Sequence, residues 1–170
     1  RMLSVLDENI DIHVVRIEDK PINLSLQSNG TVVTALLADL SVIPDVPKLA
    51  KIPDFGLSVD LTTEFVDKFI KSKAALPEAD TFTIIPEENC KFVLGMSNTN
   101  TNRISLPVDA NVTDPLMSSK VINSNLFKEI LTSNKGTDGK VELSDAGLLR
   151  VTFNDQDYNA TYYMKTIENE

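Results

Sequence analysis

Two short stretches of this sequence place their apolar residues in the same way. In "TTEFVDKFIKSK" they are Phe65, Val66, Phe69 and Ile70; in "SNLFKEILTSNK" they are Leu126, Phe127, Ile130 and Leu131. The spacing i, i+1, i+4, i+5 at about 100° per residue gives a stripe about 140° wide, suited to lying on a sheet. Phe65 and Leu126 stand 61 residues apart (126 − 65 = 61). A small helix with one apolar face cannot bury that face alone, so its recurrence at a fixed interval implies two units that close on each other. Packing of amphipathic helices accounts for the stripes but not for the duplication.

The segments around the two helices repeat as well. "LSVDL" precedes a helix over about 61–73, with Asp60, Thr62 or Thr63 available as caps and Glu64 in the first turn. "DTFTIIPEENCKFVLGM" reads as two strands about a turn at Pro86-Glu87-Glu88-Asn89, and "NRISLPV" as a third. Residues 109–119 read as a loop, "KVIN" as a short strand, and about 124–134 as the second helix. Three strands follow, with turns at Ser144-Asp145-Ala146-Gly147 and Asn154-Asp155. Earlier in the chain, residues 1–6 have the residue types of a helix end. "IDIHVVRI", "INLSLQ" and "TVVTALLADLSVI" follow as strand signals, with a turn at Ser28-Asn29-Gly30. Residues 43–56 carry three prolines and a glycine, which suits an extended connector and neither a helix nor a central strand.

Composition narrows the function. With 42% apolar and 24% charged residues in 170, the chain suits one globular domain, or one and a fraction. No run approaches the roughly 18 apolar residues of a membrane-spanning helix, so no membrane association is expected. The formal charge of −9 disfavours a protein that grips nucleic acid over its whole surface. Lysines gathered on one face can still attract a polyanion locally. The start "RMLSVL" has no initiation signal or leader pattern, and the chain is expected to be a fragment of something longer.

Catalytic signatures are missing. His13 lies in an alternating strand, and its residue pattern suits a surface or half-buried position. Cys90 reads as a small half-buried residue at a strand end; a single cysteine precludes an intrachain disulfide and favours a reducing compartment. One His and one Cys cannot assemble a zinc set, and there is neither a phosphate-cradling glycine loop nor a nucleophile elbow. "NKGTDG" has the outline of a calcium loop but puts Gly136 where an oxygen ligand is required; Asp138-Gly139 suits a hairpin turn better. Asn-x-Ser/Thr triplets at Asn23, Asn29, Asn111 and Asn159 are what an Asn-, Ser- and Thr-rich chain produces by chance. No carboxylate pair stands out. The expectation is no enzyme, no metal and no cofactor.

The strand–helix–three-strand repeat resembles the DNA sliding clamps. "VDLTTEFVDKFIKSKAALPEADTFTI", "RISLPVDANV" and "NSNLFKEILTSNKG…KVELSDAGLLRVTFNDQDYNATYYMKTI" look most like the clamp subunits of T-even-type tailed phages. "RMLSVLDENIDIHVV", "INLSLQSNG" and the proline-rich connector extend the likeness over essentially the whole chain. The resemblance implies an α+β fold of duplicated units, with antiparallel sheets outside and helices on one face. Residues 1–42 would be the back half of an N-terminal clamp domain lacking its front half, 43–56 the interdomain connector, and 57–170 a complete C-terminal domain. The implied function is a non-catalytic processivity factor that encircles double-stranded DNA and slides without reading sequence. Its implied partners are a DNA polymerase, a clamp loader and its own copies in a trimeric ring, in the cytoplasm of an infected bacterial host.

On this resemblance Lys68, Lys71, Lys128 and Lys135, opposite the stripes, would face the duplex. Residues alone read equally as solvated helix faces with pairs such as Glu64–Lys68 and Asp67–Lys71. Acidic residues such as Asp39, Asp45, Glu78, Asp80, Glu87, Glu88 and Asp155 would keep DNA off the outer wall. A peptide pocket for partners would lie on the outer surface near the connector and the last strand. That points to Ile43, Pro44, Val46, Leu49 and Ile52, with Tyr162 and Met164 as walls, or else to apolar residues that merely pin the connector. Two other readings stand beside it: a β-rich phage structural or interaction protein without DNA contact, and a carboxylate hydrolase.

Overall fold

The structure, a computed structural model, describes residues 2–42, 51–87, 89–96, 102–114, 117–156 and 158–167. The chain divides into two compact units, Arg1–Ala50 and Lys51–Glu170.

The first unit is a 3-10 turn, Met2–Val5, and a three-stranded antiparallel sheet, β1 (Asp11–Ile17), β2 (Lys20–Ser28) and β3 (Thr31–Leu36), in the order β1-β2-β3. The Asn29-Gly30 signal forms the second hairpin, with φ of 45° and 81°, the left-handed pair a two-residue turn needs. The first hairpin uses Glu18 and Asp19, at φ 47° and 65°, where sequence carried no such signal; Arg16 donates to the Asp19 carbonyl at 3.0 Å. The strand expected to run to residue 43 ends at Leu36, and a second 3-10 turn covers Leu40–Val42. Register places Ile12 opposite Leu26, Val14 opposite Leu24, and Leu26 and Leu24 opposite Val33 and Ala35. Those six residues share one face, yet Ile12 is 63% and Val14 47% exposed.

The second unit has two antiparallel sheets and two helices. Its first half is β4 (Leu57–Leu61), α1 (Thr63–Ala75), β5 (Thr81–Ile85), β6 (Lys91–Leu94) and β7 (Ile104–Pro107). The short strand β8 (Ala110–Val112) lies in the stretch expected to be loop. The second half is β9 (Lys120–Asn123), α2 (Ser124–Ser133), β10 (Gly139–Leu143), β11 (Leu148–Asn154) and β12 (Asn159–Lys165). The sheets run β7-β6-β5-β9 and β12-β11-β10-β4-β8.

The two halves exchange their first strands. β4 belongs to the first half but pairs antiparallel with β10 of the second; β9 belongs to the second but pairs antiparallel with β5 of the first. The registers correspond, with Leu61, the last residue of β4, facing Gly139, the first of β10, and Asn123, the last of β9, facing Thr81, the first of β5. Each exchanged strand runs straight into its helix. Thr62 caps α1 by accepting from Phe65 N at 3.2 Å, and Asn123 caps α2 by accepting from Leu126 N at 2.9 Å. Each helix start is also held by an aspartate of the other half. Asp138 Oδ1 accepts from Thr63 N at 3.0 Å, while the Asp80 carbonyl accepts from Ser124 N at 2.9 Å and its Oδ1 from Asn125 Nδ2 at 3.0 Å. A carboxylate there also suits the positive end of the helix dipole.

Both helices and both sheets contribute to a single apolar cluster. At its centre Phe69 of α1 and Phe127 of α2 meet edge-to-face, centroids 4.9 Å apart, and Phe82 of β5 touches both. The expected stripes form, with one correction: Leu126 is 53% exposed, because it lies about 100° round from Phe127, at the edge of the buried sector. Cys90 is buried rather than half-buried, and desolvation pushes its thiol up to about 11, so it is a packing residue and not a nucleophile. His13 is exposed on β1. Among the described residues no helix is long and apolar enough to cross a membrane.

The second sheet's turn at 144–147 is tied to the approach to β9. Lys120 Nζ lies 2.9 Å from Asp145 Oδ1, which also accepts from Ser118 N at 3.2 Å and Ser118 Oγ at 3.0 Å. At Gly147, φ is +84°, and an added Cβ would stand 2.7 Å from Thr166 Oγ1, so the turn requires glycine. The Lys120 ammonium, and then the Ser118 donors, hold the Asp145 carboxyl down at about 2. Because this lies below the unfolded value of about 3.9, the tie stabilises the fold fully above that value. The contribution is lost as pH falls from about 4 to about 2. Asp145→Asn is therefore expected to lower the thermal midpoint near pH 6 and to converge with wild type by about pH 2. A difference that persists undiminished in acid would contradict the assignment.

Candidate nucleic-acid interface

The faces of α1 and α2 turned away from the apolar cluster are the surfaces on which sequence placed the lysines. Taking about 100° per residue, Lys68 and Lys71 lie about 200° and 140° round from the buried Val66. Both are exposed, and neither takes part in a hydrogen bond or ion pair among the described residues. The expected pairs Glu64–Lys68 and Asp67–Lys71 do not form; Asp67 instead meets Lys135 of the other half at 3.1 Å. With side chains 61% and 46% exposed, that pair contributes about 1 kcal/mol at most.

The second helix is not a copy of the first in charge. At the 61-residue offset Lys68 corresponds to Glu129, Lys71 to Thr132, and Asp67 to Lys128. Lys128 therefore sits about 100° from Phe127, on the flank, and is half-buried; Asn125, Glu129 and Thr132 occupy the outward face. Thr132 Oγ1 donates to the Lys128 carbonyl at 2.8 Å. Across the layer Lys68, Lys71, Lys128 and Lys135 stand against Glu64, Asp67 and Glu129, a local sum of 4 − 3 = +1 in a chain of −9. Lys73, also in α1, is turned inward and donates to the Pro77 carbonyl at 2.7 Å, closing the helix end.

Tyr162 and Met164 lie on the helix-facing side of β12, because they stand opposite the fully buried Val151 and Leu149. They join Leu126 and Ile130 of α2 in an open groove of about 520 Å³ along the free edge of the sheet. Tyr162 is anchored there by Asn134 Nδ2 at 3.1 Å; Asn134 also closes α2 by donating to the Ile130 carbonyl at 2.7 Å. Ile52 does not line this groove and is 45% exposed. Ile43, Pro44, Val46 and Leu49 lie outside the described residues, as do Asp45 and Glu88. Of the acidic residues expected on the outside, Asp39, Glu78, Asp80, Glu87 and Asp155 are exposed. The Ser41 N–H, donating at 2.9 Å, holds the Asp39 carboxyl below its usual range. Among the described residues no cluster of three or more His, Cys, Asp or Glu could hold a metal ion.

No protein-family profile matches the sequence, and no curated protein matches it. Solved structures do. The proliferating cellular nuclear antigen of Entamoeba histolytica superposes with a TM-score of 0.65 at 14% identity, over 98% of this chain and 68% of that one. The PCNA2–PCNA3 complex of Sulfolobus tokodaii gives 0.65 at 15% identity, over 96% of this chain and 68% of the other. The chain has the α+β sliding-clamp fold.

Since Lys68 and Lys71 hold no partner among the described residues, replacing both with Ala is expected to move the thermal midpoint by about 2 °C or less, followed by circular dichroism. A larger loss would mean that these lysines are structural.

Proposed function

We propose that this chain is part of a non-catalytic polymerase processivity factor, a ring that encircles duplex DNA and slides without reading sequence. The observation that carries the reading is the helix layer of a clamp fold bearing unpartnered lysines on its outward face, in an otherwise acidic chain. On this reading Lys68 and Lys71, with Lys128 on the flank and Lys135 beside α2, face phosphate through water. Their partners would be a DNA polymerase and a clamp loader, and the ring would be a trimer of two-domain subunits in a phage-infected bacterium. Partner peptides would seat near the connector, around Ile43, Pro44, Val46, Leu49 and Ile52; the groove at Tyr162 and Met164, which Ile52 does not line, would be a separate seat. The intact protein should be retained on circular DNA and lost when the circle is cut, with Lys68→Ala/Lys71→Ala weakening retention. Equal retention on circular and linear DNA would sink the encircling mechanism.

The alternative is a β-rich phage structural or interaction protein that never touches DNA. The near-balance of charge on the helix layer favours it, and retention on neither form of DNA would be its sign.

The same reading assigns 57–170 to a complete clamp domain, 43–56 to a connector and 1–42 to the back half of another domain. In support, β1-β2-β3 has the order of β10-β11-β12, and β1, like β10 without β4, has a free edge. On β10 and β11 the apolar face, Val141, Leu143, Leu149, Val151 and Phe153, is fully buried beneath the helix layer, whereas Ile12 and Val14 are exposed. What covers the face on this reading is a further strand–helix–three-strand half, its first strand antiparallel to β1. By itself the 170-residue chain should therefore bind a hydrophobic dye, and Ile12→Ser/Val14→Ser should reduce that binding severalfold. Unchanged dye binding would show that the face is not the accessible apolar surface.

A further inference from the structure

One side-chain cluster lies on the opposite side of the second unit from the helices. Arg150 alternates with the fully buried Leu149 and Val151 on β11, so its side chain stands on the outer face of the sheet. Directly across on β10 is Glu142; its Oε2 accepts from Arg150 Nε at 2.6 Å and lies 2.6 Å from the terminal nitrogen Nη2. The two side chains are only 28% and 19% exposed, so water screens this pair less than it does Asp67–Lys135. While Nε and Nη2 hold Glu142, the Arg150 Cζ stands over the Phe55 ring, 4.3 Å from its centroid.

Phe55 belongs to the stretch that leads into β4, and the chain beyond it is fixed by its backbone. Gly56 N donates to the Leu143 carbonyl at 3.0 Å, and the Gly56 carbonyl accepts from Thr113 N at 2.8 Å and Asp114 N at 3.1 Å. A side chain at 56 has no room, since a Cβ there would stand 2.6 Å from Asp114 Cβ. Before Phe55, in contrast, Lys51, Ile52 and Asp54 are exposed. Pro53 is half-buried, and the Arg150–Phe55 contact holds the segment by a side chain one residue before the backbone ties of Gly56.

We propose that Arg150 is a positioning residue for the segment 51–55 that leads into β4: oriented by Glu142, it clamps Phe55 to the outer face of β10–β11. The clamp fixes the point at which residues 51–55 meet the second unit's sheet. The fork geometry explains the choice of arginine, since Nε and Nη2 together hold the Glu142 carboxylate while the charge stays over the ring, which lysine's single ammonium cannot do. This assignment does not depend on the proposed function. If that function holds, the clamp also sets how firmly Ile52, three residues upstream, is presented to a partner peptide.

Limited trypsin digestion of the whole chain reads the clamp directly, because Lys51 offers a cleavage site four residues from Phe55. When reclosing is fast, the cleavage rate follows the population of the opened segment. Arg150→Leu and Phe55→Leu are each expected to raise cleavage after Lys51 about tenfold. The double variant should add little to either, since both remove one contact. Arg150→Lys should fall between wild type and Arg150→Leu. Cleavage after Lys140, within β10, should stay unchanged and report the intact sheet. The proposal is overturned if cleavage after Lys51 does not rise, if the two effects multiply as independent ones, or if cleavage after Lys140 rises in parallel.

Discussion

The second unit depends on the place where Phe69 and Phe127 meet, one from each half of a duplicated sequence. Neither helix can be covered by its own three strands alone. Each half lacks a strand at one edge of its sheet, and the other half supplies it, β4 to β10 and β9 to β5. The exchanged strands deliver their helices to the shared centre, where Phe82 contacts both rings, and edge-to-face geometry adds about 0.5–1.5 kcal/mol per pair beyond burial. Thr62, Asn123, Asp80 and Asp138 reinforce the exchange at the helix starts, again with partners drawn partly from the opposite half. Half of such a unit would leave an open strand edge beside an apolar face, which is the condition of β1 in the first unit.

Much of this is legible from local patterns, because periodicity and turn chemistry act within a few residues. The helix stripes, the strand order and the Asn29-Gly30 hairpin belong to that class. The exchange of β4 and β9 does not, since strand pairing at long separation leaves no mark on either strand. Nor does β8, three residues whose only reason to be extended is the free edge of β4 beside it. Glu18-Asp19 turns without glycine or asparagine because the β1–β2 register demands the left-handed pair. At the candidate site the exposed lysines of α1 could be read from the helical wheel. Their lack of partners could not, because Asp67 is taken by Lys135, a residue 68 positions away (135 − 67 = 68). Arg150, Glu142 and Phe55 carry no motif, and only folding brings them together.

Charge decides what kind of DNA contact this surface could make. Were Lys68, Lys71 and Lys128 each to neutralise one phosphate, three released counterions would give a salt slope of about −2.7 in log K against log salt. Between about 50 and 200 mM salt, that is a loss of about fortyfold in affinity per chain, and the neighbouring Glu64, Asp67 and Glu129 would reduce the attraction further. A surface so nearly balanced cannot hold DNA by contact energy under ordinary salt. The asymmetry between the helices sharpens the point. Where 68 and 71 carry lysine, 129 and 132 carry glutamate and threonine, so the positive charge of the outward faces is concentrated on α1. The two helices of the repeat thus share their apolar stripe but not their outward charges.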